Sequence, residues 1–473
     1  MMKLKPGIHI HLIGIGGTGL SAIATVLLEC GFVVSGSDRN LSPFAQVVQN
    51  SGGQIYIGHK AENVAGADLV IRSSAVSDDN VEVLAARNYK IPIMKRSEFI
   101  GQLLADYREI AVAGTHGKTT TTAMIAWVLT ALGQDPSFII GGVAYNLASN
   151  AHAGRGQSFV IEADEYDRMF IGLNPQIAVV TNVEHDHPDC FPTPEDYQRV
   201  FYEFVDRLTP TGVLLACKDD PGAERLLEEA VTRGHRTCSY GLGLDIDGSY
   251  PDYYGLNLHT NEVGGYSFEI LVRKGLDNSS VCVHLRVPGK HNVLNALAVI
   301  GVVDQMGLSL EEAAQALAEF IGSGRRFEVC GEAGGVTIVD DYAHHPTEIR
   351  STLSAARDRY PGRGLWAVWQ PHTYSRTRTL IDQFATAFEK ADHVIITEIY
   401  PAREKIPEDG FSARLVVAAM KHPDVTFIPE LSGVTNHLIS RLHSGDIVLI
   451  LSAGDADRIG AQILDAKRME ASN

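Results

Sequence analysis

The stretch of sequence that decides the fold is Gly114-Thr115-His116-Gly117-Lys118-Thr119-Thr120. It follows the apolar run Glu109-Ile110-Ala111-Val112-Ala113, which predicts a buried strand, and precedes a segment whose apolar residues recur at helical spacing. A glycine-bearing loop between a strand and a helix presents backbone N–H groups to phosphates. Here Lys118 could hold β- and γ-phosphates, and the Thr119 hydroxyl suits Mg²⁺. The loop is shorter than the usual GxxxxGK[ST], because Val112 stands where glycine is usual; the alternative is a glycine turn beside a solvated lysine.

Strand-like and helical segments alternate along almost the whole chain, which predicts an α/β protein with parallel sheets covered by helices. We predict three domains, residues 1–107, 108–322 and 323–473, each built on a mostly parallel sheet with flanking helices. The first and third are expected to be Rossmann-like. The second is expected to be P-loop ATPase-like, with a small antiparallel addition at about residues 240–285. The predicted strands of the third domain are 336–339, 365–369, 393–397, 425–428 and 447–451.

The composition limits the class of protein. Of 473 residues, 45% are hydrophobic and 21% are charged, which predicts a globular chain rather than a disordered one. The net charge of -17 argues against a nucleic-acid groove, since phosphate backbones select for clustered Lys and Arg. The six cysteines are dispersed, which favours reduced thiols, and no apolar run has membrane-spanning length. We therefore predict a cytoplasmic protein with no nucleic-acid or membrane partner, as a monomer or weak homodimer.

A second glycine motif lies near the N-terminus and follows the first predicted strand. Gly14-Ile15-Gly16-Gly17-Thr18-Gly19 has the GxGxxG arrangement, in which small residues let a backbone turn approach a diphosphate at a helix N-terminus. Asp38 follows the next strand, where a ribose hydroxyl could be bound. The residues alone leave three interpretations open: a dinucleotide, another diphosphate nucleotide, or a tight structural turn. The residues predicted for this site are Gly14, Gly16, Gly17, Thr18, Gly19, Asp38, Ser73 and Ser74.

Two acidic clusters follow strands of the second domain, Glu162-Ala163-Asp164-Glu165 and Glu184-His185-Asp186-His187. Ligands bind at the carboxyl ends of strands in doubly wound sheets, so these carboxylates can reach metal ions carried by a nucleotide. Hard oxygen ligands favour Mg²⁺. The alternatives are a zinc hydrolase site built on the His-Asp-His triplet and acids that only cap the following helices.

Further polar residues gather at a helix start and at strand ends of the third domain. His291 and Asn295 lie four apart on one predicted helix face, where an asparagine amide could match an adenine edge or could simply cap the helix. Residues 340–348 and 370–376 bring acids, histidines and Arg376 to neighbouring strand ends, and Arg325 and Arg326 stand at the domain boundary. Histidines in a buried network and a solvated basic face are the structural alternatives.

Taken in order, GIGGTG, AGTHGKTTTT, EADE, TNVEHDHPD, GKHNVLNA, GRRF, DDYAHHPTE and QPHTYSRT resemble the motifs of the Mur ligases over the whole chain. The resemblance is greatest to the branch that joins L-alanine to UDP-N-acetylmuramate at the expense of ATP, through an acyl phosphate. It implies a UDP-substrate domain, a central ATPase domain and a C-terminal amino-acid domain, with ATP and Mg²⁺ as cofactors. The first glycine motif would then hold the diphosphate of the UDP substrate.

The resemblance also implies roles for single residues. Lys118, Glu162, His187 and Arg326 would be catalytic, and the Mg²⁺ ligands would be Thr119, Glu162 and His187. The amino acid would be bound by Tyr342, His344, His372 and Arg376. The residues implied for ATP are Gly114, Thr115, His116, Gly117, Lys118, Thr119, Thr120, His291, Asn295, Arg326 and Asp341.

Three positions depart from the family pattern. Some members of the alanine-adding branch carry Arg where Thr373 stands, and Pro188 replaces a commoner Met. Sister ligases carry a carbamylated lysine at a position that here falls near Tyr202, which agrees with the alanine-adding branch. The rival functions are a recycling ligase that attaches a whole peptide to the same sugar acid, a nicotinamide dehydrogenase, and a non-catalytic nucleotide sensor.

Overall fold

Three sheets, one after another along the chain, organise the part of the protein that the computed structural model describes, residues 5–243, 250–274 and 277–471. Each sheet is mostly parallel and carries helices on its faces, so the protein has three α/β domains. The predicted fold class is confirmed. In the described residues no helix combines the length and the apolar character that crossing a bilayer requires.

The first sheet consists of β1 (His9–Ile13), β2 (Val33–Asp38), β3 (Gln54–Ile57), β4 (Leu69–Arg72) and β5 (Ile93–Lys95). Its helices are α1 (Thr18–Glu29), α2 (Pro43–Asn50), α3 (Val81–Asn88) and α4 (Arg96–Leu103). The strand order is β3-β2-β1-β4-β5, and all neighbouring strands are parallel. The start of α2 shows why the chain turns where it does, because the Ser42 hydroxyl accepts the N–H of Ala45 and Pro43 takes the first helical position.

The second sheet consists of β6 (Arg108–Ala113), β7 (Ser137–Ala144), β8 (Ser149–His152), β9 (Ser158–Glu162), β10 (Ile177–Val180), β11 (Val213–Cys217), β12 (Arg236–Gly241), β13 (Tyr253–Thr260), β14 (Tyr266–Lys274) and β15 (Asp277–His284). Its helices are α5 (Lys118–Ala131), α6 (Pro194–Val205), α7 (Pro221–Thr232), α8 (Lys290–Gln305) and α9 (Leu310–Ala318). The strand order is β15-β14-β13-β12-β11-β10-β6-β9-β7-β8. The strands from β13 to β7 in this order are parallel, while β14, β15 and β8 pair antiparallel with their neighbours. The predicted antiparallel addition thus comprises β13 to β15; its residues 244–249 and 275–276 lie outside the described residues.

The third sheet consists of β16 (Glu328–Ala333), β17 (Val336–Asp341), β18 (Leu365–Gln370), β19 (His393–Ile396), β20 (Val425–Phe427) and β21 (Ile447–Ser452). Its helices are α10 (Pro346–Arg359), α11 (Tyr374–Thr379), α12 (Ile381–Phe384), α13 (Ala413–Ala419), α14 (Leu431–Arg441) and α15 (Arg458–Ala471). The strand order is β16-β17-β21-β18-β19-β20, and only β16 runs antiparallel to its neighbour. The predicted strands are present, but β17 continues through Asp341. The reason is that Asp340 and Asp341 continue the parallel ladder with Ile450 and Leu451 of β21, and Asp340 also pairs with Glu328 of β16.

Helix α10 contacts the second domain at both of its ends. At its start, the Thr347 hydroxyl donates to Glu184 Oε1 at 2.9 Å. At its far end, Asp358 Oδ2 accepts the hydroxyl of Tyr266 in β14 at 2.7 Å. A helix of 14 residues is about 21 Å long, so these two contacts are well separated.

Candidate functional site

A cavity of about 970 Å³ opens where the three domains meet, at the carboxyl ends of β6, β9, β17 and β18. We call it the central cavity. Its lining includes, from the first domain, Thr18, Gly19 and Arg96; from the second, Lys118, Thr119, Glu162, Asp164 and His187; and from the third, Arg326, Tyr342, His344, His372, Arg376 and Arg403. The structure therefore brings residues predicted for three different ligands to one cavity.

The phosphate loop lies at one wall of this cavity, between β6 and α5. Gly117 takes the left-handed conformation, with φ of 80°, immediately before the helix, and an added side-chain carbon there would lie 3.0 Å from Asn295 Oδ1. The Lys118 ammonium donates to the carbonyl of Thr115 at 3.1 Å and forms an ion pair with Glu165 Oε2 at 2.9 Å. Burial lowers the pKa of Lys118, but the charges of Glu165 and Asp164 outweigh it and raise the pKa above its usual value. A permanent cation thus lies at the start of α5, where the helix dipole also favours anions.

The residues predicted to bind Mg²⁺ face the same cavity. The Thr119 hydroxyl donates to Glu162 Oε1 at 3.0 Å, and Glu162 Oε2 accepts the backbone N–H of Gly141 at 2.7 Å. Burial raises the pKa of Glu162, and the Lys118 charge opposes that rise. His187 has a left-handed backbone, with φ of 53°, and its Nε2 lies 3.6 Å from Glu165 Oε1. A hydroxyl and a carboxylate in contact on a cavity wall are a donor set that fits a hard divalent cation.

Arg326 reaches from the third domain toward this donor set. Its Nη2 lies 3.4 Å from the Thr119 hydroxyl, and its guanidinium lies 5.0 Å from the centre of the Tyr342 ring. Arg325 does not point the same way, because its Nε donates to Asp340 at 2.9 Å. The two neighbouring arginines therefore differ: one is held within its own domain and the other crosses to the phosphate loop.

A smaller cavity of about 260 Å³ lies on the other side of the loop. Its lining includes His116, Gly117, Thr120, His291, Asn295 and Asp341, all of them predicted for ATP. Burial lowers the pKa of His291 to about 4, so this histidine is neutral near pH 7. Burial raises the pKa of Asp341 to about 6, although the Arg326 charge lowers it, and its oxygens accept the N–H groups of Phe327 and Ala343 at 2.8 Å.

His116 joins the second and third domains between the two cavities. Its Nε2 lies 3.0 Å from Glu184 Oε2, and its Nδ1 lies 3.3 Å from Glu348 Oε1 of α10. Burial lowers the pKa of His116, but the hydrogen bonds and charges of Glu184 and Glu348 raise it to about 9. Ligand-type atoms of His116, Glu184 and His345 also lie within 4.8 Å of one another, a grouping that differs from the predicted metal ligands.

The residues predicted for the amino acid lie on the third-domain wall. The Arg376 guanidinium donates to both carboxylate oxygens of Asp186, Nε to Oδ1 at 2.7 Å and Nη2 to Oδ2 at 3.1 Å, and both side chains are 4% exposed. His372 Nδ1 lies 3.1 Å from Arg376 Nη1, and the ring of His344 lies 5.7 Å from that of His372. Burial lowers the pKa of His344 to about 3 and that of His372 to about 4, so both rings are neutral near pH 7.

Comparison with known proteins agrees with this arrangement along the whole chain. Residues 9–108 match the catalytic domain of the Mur ligase family, residues 112–303 match the Mur ligase middle domain, and residues 325–454 match the Mur ligase glutamate ligase domain. A UDP-N-acetylmuramate–L-alanine ligase from Roseiflexus sp. (strain RS-1) is 41% identical over 98% of this chain and 100% of its own length. The ligase of the same name from Nitratidesulfovibrio vulgaris (strain DP4) is 42% identical over 95% of this chain and 97% of its own. The chain belongs to the Mur ligase family.

Solved structures of Mur ligases show the same three-domain fold. The crystal structure of the UDP-N-acetylmuramate–alanine ligase of Thermotoga maritima matches with a TM-score of 0.80 at 28% identity, over 98% of this chain and 100% of that one. A murein peptide ligase from Psychrobacter arcticus matches with a TM-score of 0.73 at 27% identity, over 98% and 99%.

The N-terminal glycine motif of this Mur ligase is only partly at the central cavity. Thr18 and Gly19 line it, whereas Gly14, Gly16, Gly17, Asp38, Ser73 and Ser74 do not. These six residues still lie at one edge of the sheet. Asp38 Oδ2 accepts the N–H of Gly16 at 2.8 Å, and an added carbon at Gly14 would lie 3.1 Å from the Ser73 side chain.

Several residues of the site were not predicted from the sequence. Arg96 lines the cavity and donates to Asp164 at 3.1 Å, which links the first domain to the second. Glu165 and Asp186 belong to the two acidic clusters. Glu165 forms an ion pair with Lys118, and Asp186 forms one with Arg376, so each carboxylate orients a predicted site residue. The clusters were the signal that could have found them. Tyr202 lies in α6, does not line the cavity, and packs against Arg233 at 5.4 Å.

Proposed function

We propose that this Mur ligase joins L-alanine to the lactyl carboxylate of UDP-N-acetylmuramate in the cytoplasm, giving UDP-N-acetylmuramoyl-L-alanine, ADP and phosphate for peptidoglycan precursor synthesis. The observation that carries the proposal is the single cavity in which the phosphate loop, the first-domain glycine motif and the polar wall of the third domain meet. The naming of the full-length relatives at about 40% identity supports the choice of substrates.

The first step is transfer of the γ-phosphoryl group of ATP to the lactyl carboxylate. A carboxylate is a poor electrophile, and an amine displaces its oxygen only after that oxygen has become part of a phosphate leaving group. Such a transfer depends mostly on positioning and charge neutralisation. Lys118 supplies a fixed positive charge at the loop, and Arg326 brings a second from the third domain. ATP binding extends to the smaller cavity, where His291, Asn295 and Asp341 lie.

The proposal includes Mg²⁺ held by Thr119, Glu162 and His187. The contact between the Thr119 hydroxyl and Glu162, and the burial that works against an isolated charge on Glu162, both fit a cation between hard oxygen ligands. When bound, the ion neutralises phosphate charge and helps to align the γ-phosphate. Gly141 holds the other oxygen of Glu162, so the chain fixes the orientation of this carboxylate.

The second step is attack of the L-alanine amine on the acyl phosphate, with release of phosphate and formation of the amide. Negative charge develops on the carbonyl oxygen, and Lys118 and Arg326 are the cations that could stabilise it. Tyr342, His344, His372 and Arg376 form the amino-acid side of the cavity. L-alanine reacts as its free amine, and the proton that the nitrogen loses on forming the amide passes to the departing phosphate or to solvent. The rings of His344 and His372 are neutral because burial holds both pKa values below the usual range, so their nitrogens can accept hydrogen bonds from the amine and orient it.

We also propose the domain boundaries 1–107, 108–322 and 323–473. Support comes from the elements: α4 ends at Leu103, β6 begins at Arg108, α9 ends at Ala318 and β16 begins at Glu328. The first domain would bind the UDP substrate through Gly14, Gly16, Gly17, Thr18, Gly19, Asp38, Ser73 and Ser74, and the protein would be a monomer or weak homodimer.

The experiment that tests the function measures phosphate release from ATP with each substrate omitted in turn. We expect release only when UDP-N-acetylmuramate and L-alanine are both present. Lys118→Ala should abolish release while the affinity for the UDP substrate stays the same, and Lys421→Ala, an exposed lysine elsewhere, should behave as wild type. Phosphate release that depends on a muropeptide instead of L-alanine would favour the recycling ligase, whose structural match is also close. NAD binding without phosphate release would favour the dehydrogenase.

A further inference from the structure

A loop of the third domain is attached to the segment that carries Thr373. Glu404 accepts the backbone N–H groups of Tyr374 at 2.6 Å and Ser375 at 3.0 Å. The N–H of Thr373 donates to the carbonyl of Tyr400 at 2.9 Å. These bonds on both sides of residues 401–403 fix the loop against the predicted amino-acid site. They therefore place Arg403, immediately before Glu404, beside the start of α11.

The Arg403 side chain lines the central cavity and crosses to the second domain. Its guanidinium carbon lies 4.7 Å from the centre of the Tyr166 ring, within the range of a cation–π contact. The Tyr166 ring in turn meets the His187 ring edge to face at 5.0 Å, and its hydroxyl donates to Asp189 Oδ2 at 3.2 Å. Arg403 is thus next to the residues proposed for metal binding and next to Thr373.

The other cations of the central cavity already face carboxylates. Lys118 pairs with Glu165, Arg96 with Asp164, Arg325 with Asp340 and Arg376 with Asp186, and Arg326 lies 3.9 Å from Glu348. Arg376 is also buried, so its charge is used within the protein. Among the side chains that the structure describes, no carboxylate forms an ion pair with Arg403, which is exposed at the cavity wall.

We infer that Arg403 binds the α-carboxylate of the incoming amino acid, an assignment that rests on the proposed ligase function. An amino acid that reacts through its amine leaves its carboxylate as a full negative charge, and desolvating that charge in a cavity requires a cation. Of the described arginines and lysines that line the central cavity, Arg403 is the one that faces no carboxylate. The role also accounts for Thr373. Some members of the branch carry arginine at position 373; here that residue is threonine, and the loop bonded to it supplies Arg403 to the same cavity wall.

The test compares L-alanine with L-alaninamide, which keeps the amine and methyl group but has no negative charge. Steady-state phosphate release is measured for wild type, Arg403→Met and the control Lys405→Met, with ATP and UDP-N-acetylmuramate saturating. Lys405 is exposed on the same loop and does not line the central cavity. Loss of a charge-assisted contact should raise the KM for L-alanine about 10- to 100-fold in Arg403→Met, with the KM for ATP unchanged. The ratio of kcat/KM for L-alanine to that for L-alaninamide should fall by a similar factor.

A second variant separates binding from loop structure. Thr373→Arg, added to Arg403→Met, should lower the KM for L-alanine again, because a cation would return to the same wall of the cavity. If the wild type is active and Arg403→Met keeps both the KM for L-alanine and the preference for L-alanine over L-alaninamide, the inference about Arg403 is wrong, while the proposed function stands. A wild type that releases no phosphate with all three substrates would overturn the proposed function, and the inference with it.

Discussion

Replacing Arg376 by methionine removes the guanidinium that faces Asp186 across the boundary between the second and third domains. The side chain keeps a similar length but loses two parallel hydrogen bonds and a buried positive charge. Burial raises the pKa of Asp186, but Arg376 outweighs this effect and holds the pKa well below its usual value. A buried carboxylate left without its partner typically costs about 3–5 kcal/mol. We expect Arg376→Met to lower the free energy of unfolding by about that amount.

The measurement is a double-mutant cycle with Asp186→Asn, followed by tryptophan fluorescence in urea. The protein has three tryptophans, Trp127 in α5 and Trp366 and Trp369 in β18, so the signal reports the two domains that the pair connects. The double variant should be more stable than Arg376→Met alone, because it no longer buries an unpaired charge, and the coupling energy should be about 2 kcal/mol or more.

An exposed pair in the same domain provides the control. Arg378 pairs with Asp409, and the two side chains are 49% and 56% exposed, so water and salt screen the pair and Arg378→Met should change the free energy of unfolding little. Equal, small losses for Arg376→Met and Arg378→Met would refute the reasoning. So would a double variant whose loss equals the sum of the two single losses.

The remaining predictions concern the proposed metal site, a buried acid and domain motion. Gly141→Ala would place a carbon 2.6 Å from Glu162 Oε2, so activity should fall about tenfold or more, and a titration with Mg²⁺ should show that the variant needs a higher concentration. Gly142→Ala is the control, because the nearest atom to its added carbon lies 3.6 Å away, and it should stay near wild type in the same titration. Burial raises the pKa of Glu82, but the His11 ring 3.7 Å away and hydrogen bonds from Ser37 and Asn63 outweigh this and lower it from 4.5 to about 2. The resulting stabilisation, on the order of 3 kcal/mol, is present above pH 4.5 and is lost as the pH falls toward 2, so the wild-type advantage over Glu82→Gln in urea unfolding should shrink across that window. The third domain is expected to close on ATP and exclude water that would hydrolyse the acyl phosphate; small-angle scattering should show a more compact protein with nucleotide and UDP substrate, and unchanged compactness would contradict closure.

The parts of the fold that depend on local pattern could be predicted from the sequence. Strands such as β6 and β10 are short, continuous apolar runs, and each is buried on both faces of a parallel sheet. Because parallel strands end at one edge, polar residues that follow them had to gather, and Lys118, Glu162 and His187 do line one cavity. Edge strands carry less of this signal. We did not predict β3 or β16, whose residues are mostly exposed or half-buried.

The parts of the site that depend on contacts across domains could not be predicted. Nothing near Arg96 in the sequence indicates that it meets Asp164, and Arg403 lies in a polar loop with no motif around it. The bridge from His116 to Glu184 and Glu348 joins positions far apart in the chain. Such pairings follow from how the three domains pack against one another, and hydrophobic periodicity within each sheet carries no information about that packing.

The two-ended attachment of α10 limits how the third domain can swing. If the bond between Thr347 and Glu184 breaks while the bond between Tyr266 and Asp358 remains, the third domain can rotate about the Tyr266 contact. The third-domain residues of the central cavity, which lie at the other end of α10, would then move farthest. The Tyr266 hydroxyl, at the opposite end of α10 from the phosphate loop, could therefore set how wide the cavity opens between turnovers.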